Sequence, residues 1–207
     1  MVAVSGKTPT LTERRKAATQ LDIARAAARL FTEHGAQGTT AEAIAAAAGV
    51  APRTFYRYFR TKEDAVAPLL VVGADSWRDH LASTPEGTPL LKAVEDAIHK
   101  TISAADATQE FSWTRGLLRA ASRDDSALAA VWHRVNGESE TRLRPVLARL
   151  APETDEVTVH LVAAAATDAI RISLELWAGT EEKAAPVELA VRCFRGLSSG
   201  LVSADHG

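Results

Sequence analysis

The sequence predicts an all-α fold, with an N-terminal three-helix domain built on a helix-turn-helix and a larger helical domain behind it. Three observations carry this. Apolar residues recur three and four apart along most of the chain, and no segment alternates with the period of two that marks a half-buried strand. The apolar content rests largely on Ala and Leu, which favour helix, and only eight prolines interrupt 207 residues. The stretch from Thr39 to Lys62 reads as two short helices joined by a glycine turn.

Taken in order, residues 1–11 contain Gly6 and Pro9 and no periodic pattern, which predicts a flexible basic tail. Lys7, with Arg14, Arg15 and Lys16 after it, suits a phosphate or a minor groove, and a solvated tail is the equal alternative for Lys7. A helix follows from about Thr12 to His34, with Ile23, Ala27, Leu30 and Phe31 on one face and Gly35 as its stop. Thr39 and Glu42 form a capping-box pattern for the second helix, whose apolar face is Ile44, Ala45 and Ala48. Gly49 stands where a positive φ turns the chain, and Val50 anchors that turn. The third helix, Ala51 to Tyr58, turns Phe55 inward, with Phe59 four residues on. Its remaining residues are donors and aromatics without an acid. Pro52, Arg53, Thr54 and Arg57 lie on its exposed side, within reach of base edges. Arg53 is the best candidate, because a guanidinium fork bonds guanine O6 and N7 together; Arg57 serves equally as a phosphate contact.

Behind this domain a fourth helix runs from about Thr61 to Ser83, with Leu69, Leu70 and Trp77 inward; Pro68 either kinks it or marks a late restart. Residues 84–89 are a loop. Further helices cover about 88–105, 108–122, 125–150, 153–178 and 181–201, with Asp124-Asp125 as an N-cap and Pro145 bending the helix that contains it. The penultimate helix carries a small-residue face through Leu161, Ala164, Ala165, Asp168, Ile172 and Leu176. The last spreads Val187, Leu189, Val191, Phe194, Leu197 and Leu201 over a wide arc. A helix apolar over more than one stripe buries more than one face, against a second copy or within the protomer.

The run GTTAEAIAAAAGVAPRTFYRYFRTKEDAV resembles the DNA-binding signature of TetR-family transcriptional regulators. The matching residues are Thr40, Ile44-Ala45, Ala48-Gly49-Val50, Phe55 to Phe59 and Lys62, with Leu30-Phe31 and Gly35 ahead of them. The resemblance implies that Thr40, Tyr56, Tyr58 and Lys62 hold phosphates of double-stranded operator DNA. It also implies a homodimer through a four-helix interface of the last two helices, here with Leu161, Ala165, Asp168, Ile172, Leu176, Phe194 and Leu197. The middle helices enclose an effector pocket in such proteins. That makes Trp77, Trp113, Trp132 and His133 candidate walls, and Arg115 and Arg119 candidate partners for an anionic head of a small-molecule effector. Plain core packing for the Trps and solvent exposure for the Args is the alternative. The C-terminal part, around Leu143-Arg144-Pro145 and residues 186–194, is loosely similar to members that respond to acyl-CoA or related ligands. Ala51 departs from the family's frequent Ser at that helix start, which weakens the cap. The implied division is residues 12–62 for DNA binding and 63–207 for ligand binding and dimerisation.

Charge agrees with that division. Residues 1–62 carry ten Lys/Arg against four Asp/Glu, and residues 63–207 fourteen against twenty-two. A basic module on an acidic body is what a DNA reader with a separate sensing domain requires. No apolar run approaches the ~20 residues of a membrane span and no signal-peptide pattern opens the chain, so the expected location is cytoplasmic, without a membrane partner. Cys193 is alone, no His pair has metal spacing and no Gly-rich phosphate loop occurs, so neither metal, cofactor nor catalytic residue is expected. The expected function is a sequence-specific transcriptional regulator, a repressor released from a palindromic operator by a small hydrophobic or acyl ligand. A helical small-molecule-binding protein or enzyme without operator binding is the alternative, separated by DNA affinity.

Overall fold

The computed structural model describes residues 10–123, 125–182 and 184–201. Lys7 and most of the expected tail, Asp124 and His206 lie outside them. The described residues form nine α-helices and no strand, which agrees with the all-α expectation. The expected DNA-binding end consists of α1 (Leu11–His34), α2 (Ala41–Ala47) and α3 (Pro52–Tyr58). The body consists of α4 (Ala67–Ala82), α5 (Leu90–Ala105), α6 (Gln109–Arg123), α7 (Ser126–Leu150), α8 (Glu156–Gly179) and α9 (Val187–Ser198).

Caps and prolines set the boundaries, and several differ from the expected ones. The first helix starts at Leu11 because Thr10 and Glu13 make a reciprocal capping box, each side chain bonding the other's backbone N–H. At α2 the cap is Thr40, whose Oγ1 accepts from Ala43 N at 3.1 Å. Thr39 is instead buried, donating to Gly35 O at 2.9 Å, so the Thr39–Glu42 capping box does not form. The fourth helix does not begin near Thr61. A single 3-10 turn, Asp64–Val66, comes first, and Pro68 then occupies the first turn of α4, where its missing N–H costs nothing. Pro186 likewise delays α9 to Val187, since the residue before a proline is pushed out of helical geometry. Asp125 caps α7 through Ala127 N and Leu128 N, and that helix continues through Pro145.

Two apolar cores fill the molecule. One joins Ile23, Phe31, Ile44, Phe55 and Phe59 to Leu117, Leu118 and Trp132, so the DNA-binding end shares its core with α6 and α7. The other lies among α4, α5, α7, α8 and α9 around Leu81, Ile98, Leu143, Val162 and Phe194. The helix α8 corrects one expectation. It is 24 residues long with a mean hydropathy of 1.4 over its most apolar stretch, enough by composition to cross a membrane. Half of that stretch is buried within the protomer, against α6, α7 and α9, so its apolarity is that of a core helix.

Candidate nucleic-acid interface and effector cavity

The DNA-binding end is organised by how its loops satisfy backbone carbonyls. Gly49 has φ 67°, the left-handed conformation that only glycine adopts readily, and it turns the chain from α2 into α3. Val50 N then donates to Ala45 O, closing the turn. Ala51 precedes α3 without any side-chain cap, so Pro52 at its start supplies the preset φ instead. Phe55 is fully buried and stacks at a tilt on Phe59, which fixes the opposite face of α3 outward. Pro52, Arg53, Tyr56 and Arg57 are exposed on that outward face and Thr54 is half-buried. The arrangement presents an Arg fork and hydroxyls on a short helix that a B-DNA major groove admits.

The residues expected on phosphates divide. Tyr58 is half-buried with the Arg57 guanidinium 5.0 Å over its ring, which holds both at the edge of the surface. Arg57 and Tyr58 border an open cleft with Thr12, Arg15 and Lys16 of α1, a basic ridge beside the recognition helix. Tyr56 Oη donates to Glu42 Oε1 at 3.1 Å, and this carboxylate neighbour pushes the phenol pKa up. The Thr40 hydroxyl is exposed but already serves as the α2 cap. Lys62 departs furthest from expectation. It does not stand at a helix N-terminus facing an anion. Its ammonium turns inward and donates to Ala36 O at 2.6 Å and Thr39 O at 2.9 Å, tying the α1–α2 connection to the segment after α3.

In the body, a partly open cavity of about 110 Å3 lies between α4, α5, α6, α7 and α8. Trp77 and Trp132 line it, as the sequence suggested. The other four candidates do not. Trp113 is half-buried in the core shared with the DNA-binding end. His133 is exposed on the outer face of α7. Arg115 and Arg119 cap the C-terminus of α8. Arg119 donates to Ala178 O and Thr180 O, each at 2.6 Å, and Arg115 to Thr180 O at 2.8 Å while lying 4.4 Å over the Trp177 ring. Free carbonyls and the negative end of the helix dipole hold both cations, so neither reaches into the cavity for an anionic head. Sequence reasoning missed Thr167, Asn136 and Ser139, which supply most of the polar lining. The signal for Thr167 was present as the first polar residue after the apolar run from Leu161 to Ala166.

The expected dimer face also divides. Leu161, Leu176 and Leu197 are exposed by 48%, 56% and 46%, and Val157 at the start of α8 by 68%, although all are apolar. Ile172 and Asp168 are half-buried on the same side of α8, with Asp168 paired to Arg171 at 2.9 Å. Ala165 and Phe194, by contrast, are buried inside the protomer. They close the core between α8 and α9 and leave the outer face to their neighbours. No group of His, Cys, Asp and Glu among the described residues is arranged to hold a metal ion.

A short helix set by a glycine turn, mounted on an all-helical body with its own cavity, is the architecture of a helix-turn-helix protein. Comparison with known proteins is specific at that end. Residues 23–67 match the bacterial regulatory proteins, tetR family. The matched segment holds α2 and α3, the two helices joined by the Gly49 turn. Over 95 residues it is 34% identical to the HTH-type transcriptional regulator TcmR of Streptomyces glaucescens, covering 45% of this chain and 42% of that one. The match thus spans less than half of that curated relative. Two solved structures share the fold across most of the chain. FadR of Bacillus subtilis in complex with stearoyl-CoA aligns at TM-score 0.60 and 18% identity, covering 87% of this chain and 98% of its own. The TetR family repressor AlkX of Dietzia sp. strain DQ12-45-1b, implicated in biodegradation of n-alkanes, aligns at TM-score 0.62 and 18% identity, covering 88% and 97%.

Proposed function

We propose that this protein is a homodimeric, ligand-responsive transcriptional repressor that acts on DNA in the cytoplasm. The observation that carries the reading is α3, with Phe55 buried beneath it and Arg53, Tyr56 and Arg57 presented outward. Two such helices in a dimer read the two halves of a palindromic operator in successive major grooves. The basic ridge of Arg15, Lys16 and Arg57 supplies the sequence-independent phosphate attraction that holds register.

Release follows from the cavity. An effector acts only through its differential affinity for the DNA-bound and free conformations, typically about 1–3 kcal/mol of coupling. The cavity is positioned for this. Leu69, Leu70 and Trp77 line it from α4, which follows the DNA-binding end, and Phe111 and Thr114 line it from α6, which packs directly on α1. A molecule that repacks these walls shifts α4 and α6 and changes the separation of the two recognition helices.

Binding-site selection from random duplexes, followed by anisotropy titration across salt, tests the reading. The expected result is a palindromic consensus with half-site centres about 34 Å apart or a multiple of that. Binding without sequence preference at every salt concentration would remove the repressor assignment.

A further inference from the structure

Resting on the regulator reading of the cavity, we infer that its ligand is a small neutral molecule with one hydrogen-bonding group, held by Thr167, and not an anion. Every side chain that lines the cavity is uncharged. A carboxylate or phosphate placed there would exchange its hydration for apolar walls without a counter-charge, which strongly disfavours binding. The two arginines on α6 that would have supplied that charge are committed to the α8 carbonyls.

The polar lining groups show where a neutral ligand is anchored. Thr101 donates to Ala97 O at 2.7 Å and meets His80 Nδ1 at 2.7 Å. Thr114 donates to Glu110 O at 3.0 Å, and Asn136 Nδ2 to Trp132 O at 2.8 Å. The Trp132 indole N–H reaches out of the cavity to Glu175 Oε1 at 2.7 Å. Thr167 differs from these. It is only 6% exposed, and its hydroxyl is buried with no hydrogen-bond partner. An orphaned hydroxyl destabilises the empty protein, and a ligand oxygen that pairs with it recovers that loss on binding. Asn136 and Ser139, one turn apart on α7, complete the polar side of an otherwise apolar chamber.

Size limits the class further. The cavity measures about 110 Å3, close to the about 150 Å3 of an apolar protein cavity that accepts benzene. A phenol or a short-chain alcohol or ketone fits this volume and chemistry.

The test is calorimetric titration of the full chain, without DNA, with three probes of matched shape: phenol, toluene and benzoate. Phenol is expected to bind most tightly, toluene more weakly and benzoate not measurably. Thr167→Val should weaken phenol by roughly tenfold, the worth of one hydrogen bond, while leaving toluene unchanged and thermal stability equal or higher. Thr167→Ser, which keeps the hydroxyl, should retain the preference for phenol over toluene. Benzoate binding as tightly as phenol, phenol affinity unaltered in Thr167→Val, or no binding by any probe would each overturn the inference. Should Thr167→Val fail to fold, the phenol-to-toluene ratio in wild type and Thr167→Ser decides alone, a ratio near one overturning it. Because these titrations contain no operator, failure of the repressor reading shows separately, as phenol binding by a protein with no DNA sequence preference.

Discussion

Arg53 and Lys62 show what a single side chain's position adds to its identity. Both are basic residues in or beside α3, and only one of them is turned outward. Arg53 is fully outward on α3, so Arg53→Ala should leave folding intact. It should cost about 1–3 kcal/mol against the preferred operator and relax the preference at one base pair per half-site. An unchanged consensus in binding-site selection would take Arg53 out of the base-reading role. Lys62 donates to two backbone carbonyls, Ala36 O and Thr39 O. Lys62→Ala strips these of a charged donor and should destabilise the domain by about 1–3 kcal/mol in urea unfolding. A normal unfolding midpoint with a reduced salt slope of DNA binding would return Lys62 to phosphate duty. The inward face of α3 was legible because Phe55 is placed by helical periodicity alone. The direction of Lys62 was not, because its partners come from a loop twenty-three and twenty-six residues away.

At the scale of elements, the number and kind of helices follow from apolar spacing, while their ends follow from local contests that spacing does not record. Thr39 and Thr40 are adjacent and chemically identical, and either can cap α2. Thr40 does so because Thr39 is drawn under the end of α1 by Gly35 O and Leu30 O. The contact between α1 and α6 was likewise invisible in sequence. A Cβ added at Gly116 would lie 2.6 Å from Thr32 Oγ1 and 3.0 Å from Thr32 Cγ2, so glycine is what lets α6 approach the DNA-binding end so closely. Thr32 is β-branched, with its hydroxyl bonded to Ala28 O, and has little freedom to yield. Gly116→Ala should therefore push α6 off α1, destabilising the protein by about 1–3 kcal/mol. Adding Thr32→Ala, which removes both close atoms, should recover part of that loss in a double-mutant cycle; strictly additive effects would exclude the contact as the cause.

A second element contact carries a pH signature. Arg195 of α9 bonds Glu95 of α5 through both oxygens, at 2.9 and 2.7 Å. The Arg195 hydrogen bond holds the Glu95 carboxyl below its ordinary value near 4.5. A group whose pKa is depressed on folding contributes stability above its unfolded pKa and loses it as pH falls through the folded one. Arg195→Ala should therefore lower stability at neutral pH and flatten its decline between about pH 5 and the depressed value. Wild type and variant melting curves that remain parallel through that acid range would separate Glu95 from the effect.

At the scale of the whole molecule, the protomer leaves an apolar face open. Val157, Leu161, Leu176 and Leu197 line the outer side of α8 and α9, and the charged residues beside them on α8, Asp168, Arg171 and Glu175, are paired with one another. A run of exposed apolar residues flanked by paired charge is the composition of an interface core. The wide apolar arc of α9 made this face legible in sequence, but not which residues belong to the outside, since Phe194 and Ala165 share the pattern and point into the protomer. The difference makes a clean test possible. Phe194→Ala should unfold the protomer, because it empties a fully buried site at a cost of about 3–5 kcal/mol. Leu161→Glu with Leu176→Glu should leave the helical content and melting cooperativity of the isolated protomer intact, because both side chains are about half exposed there. In a dimer the same substitutions place two carboxylates from each chain in an apolar seam, where unpaired charge is not tolerated. Light scattering should then report a dimer for wild type and a monomer for the double variant. Operator binding should fall by roughly 10²–10⁴, the avidity lost when two linked half-site contacts become independent, while affinity for a single half-site stays the same. A double variant that remains dimeric and binds operator normally would move the interface to another face of the body.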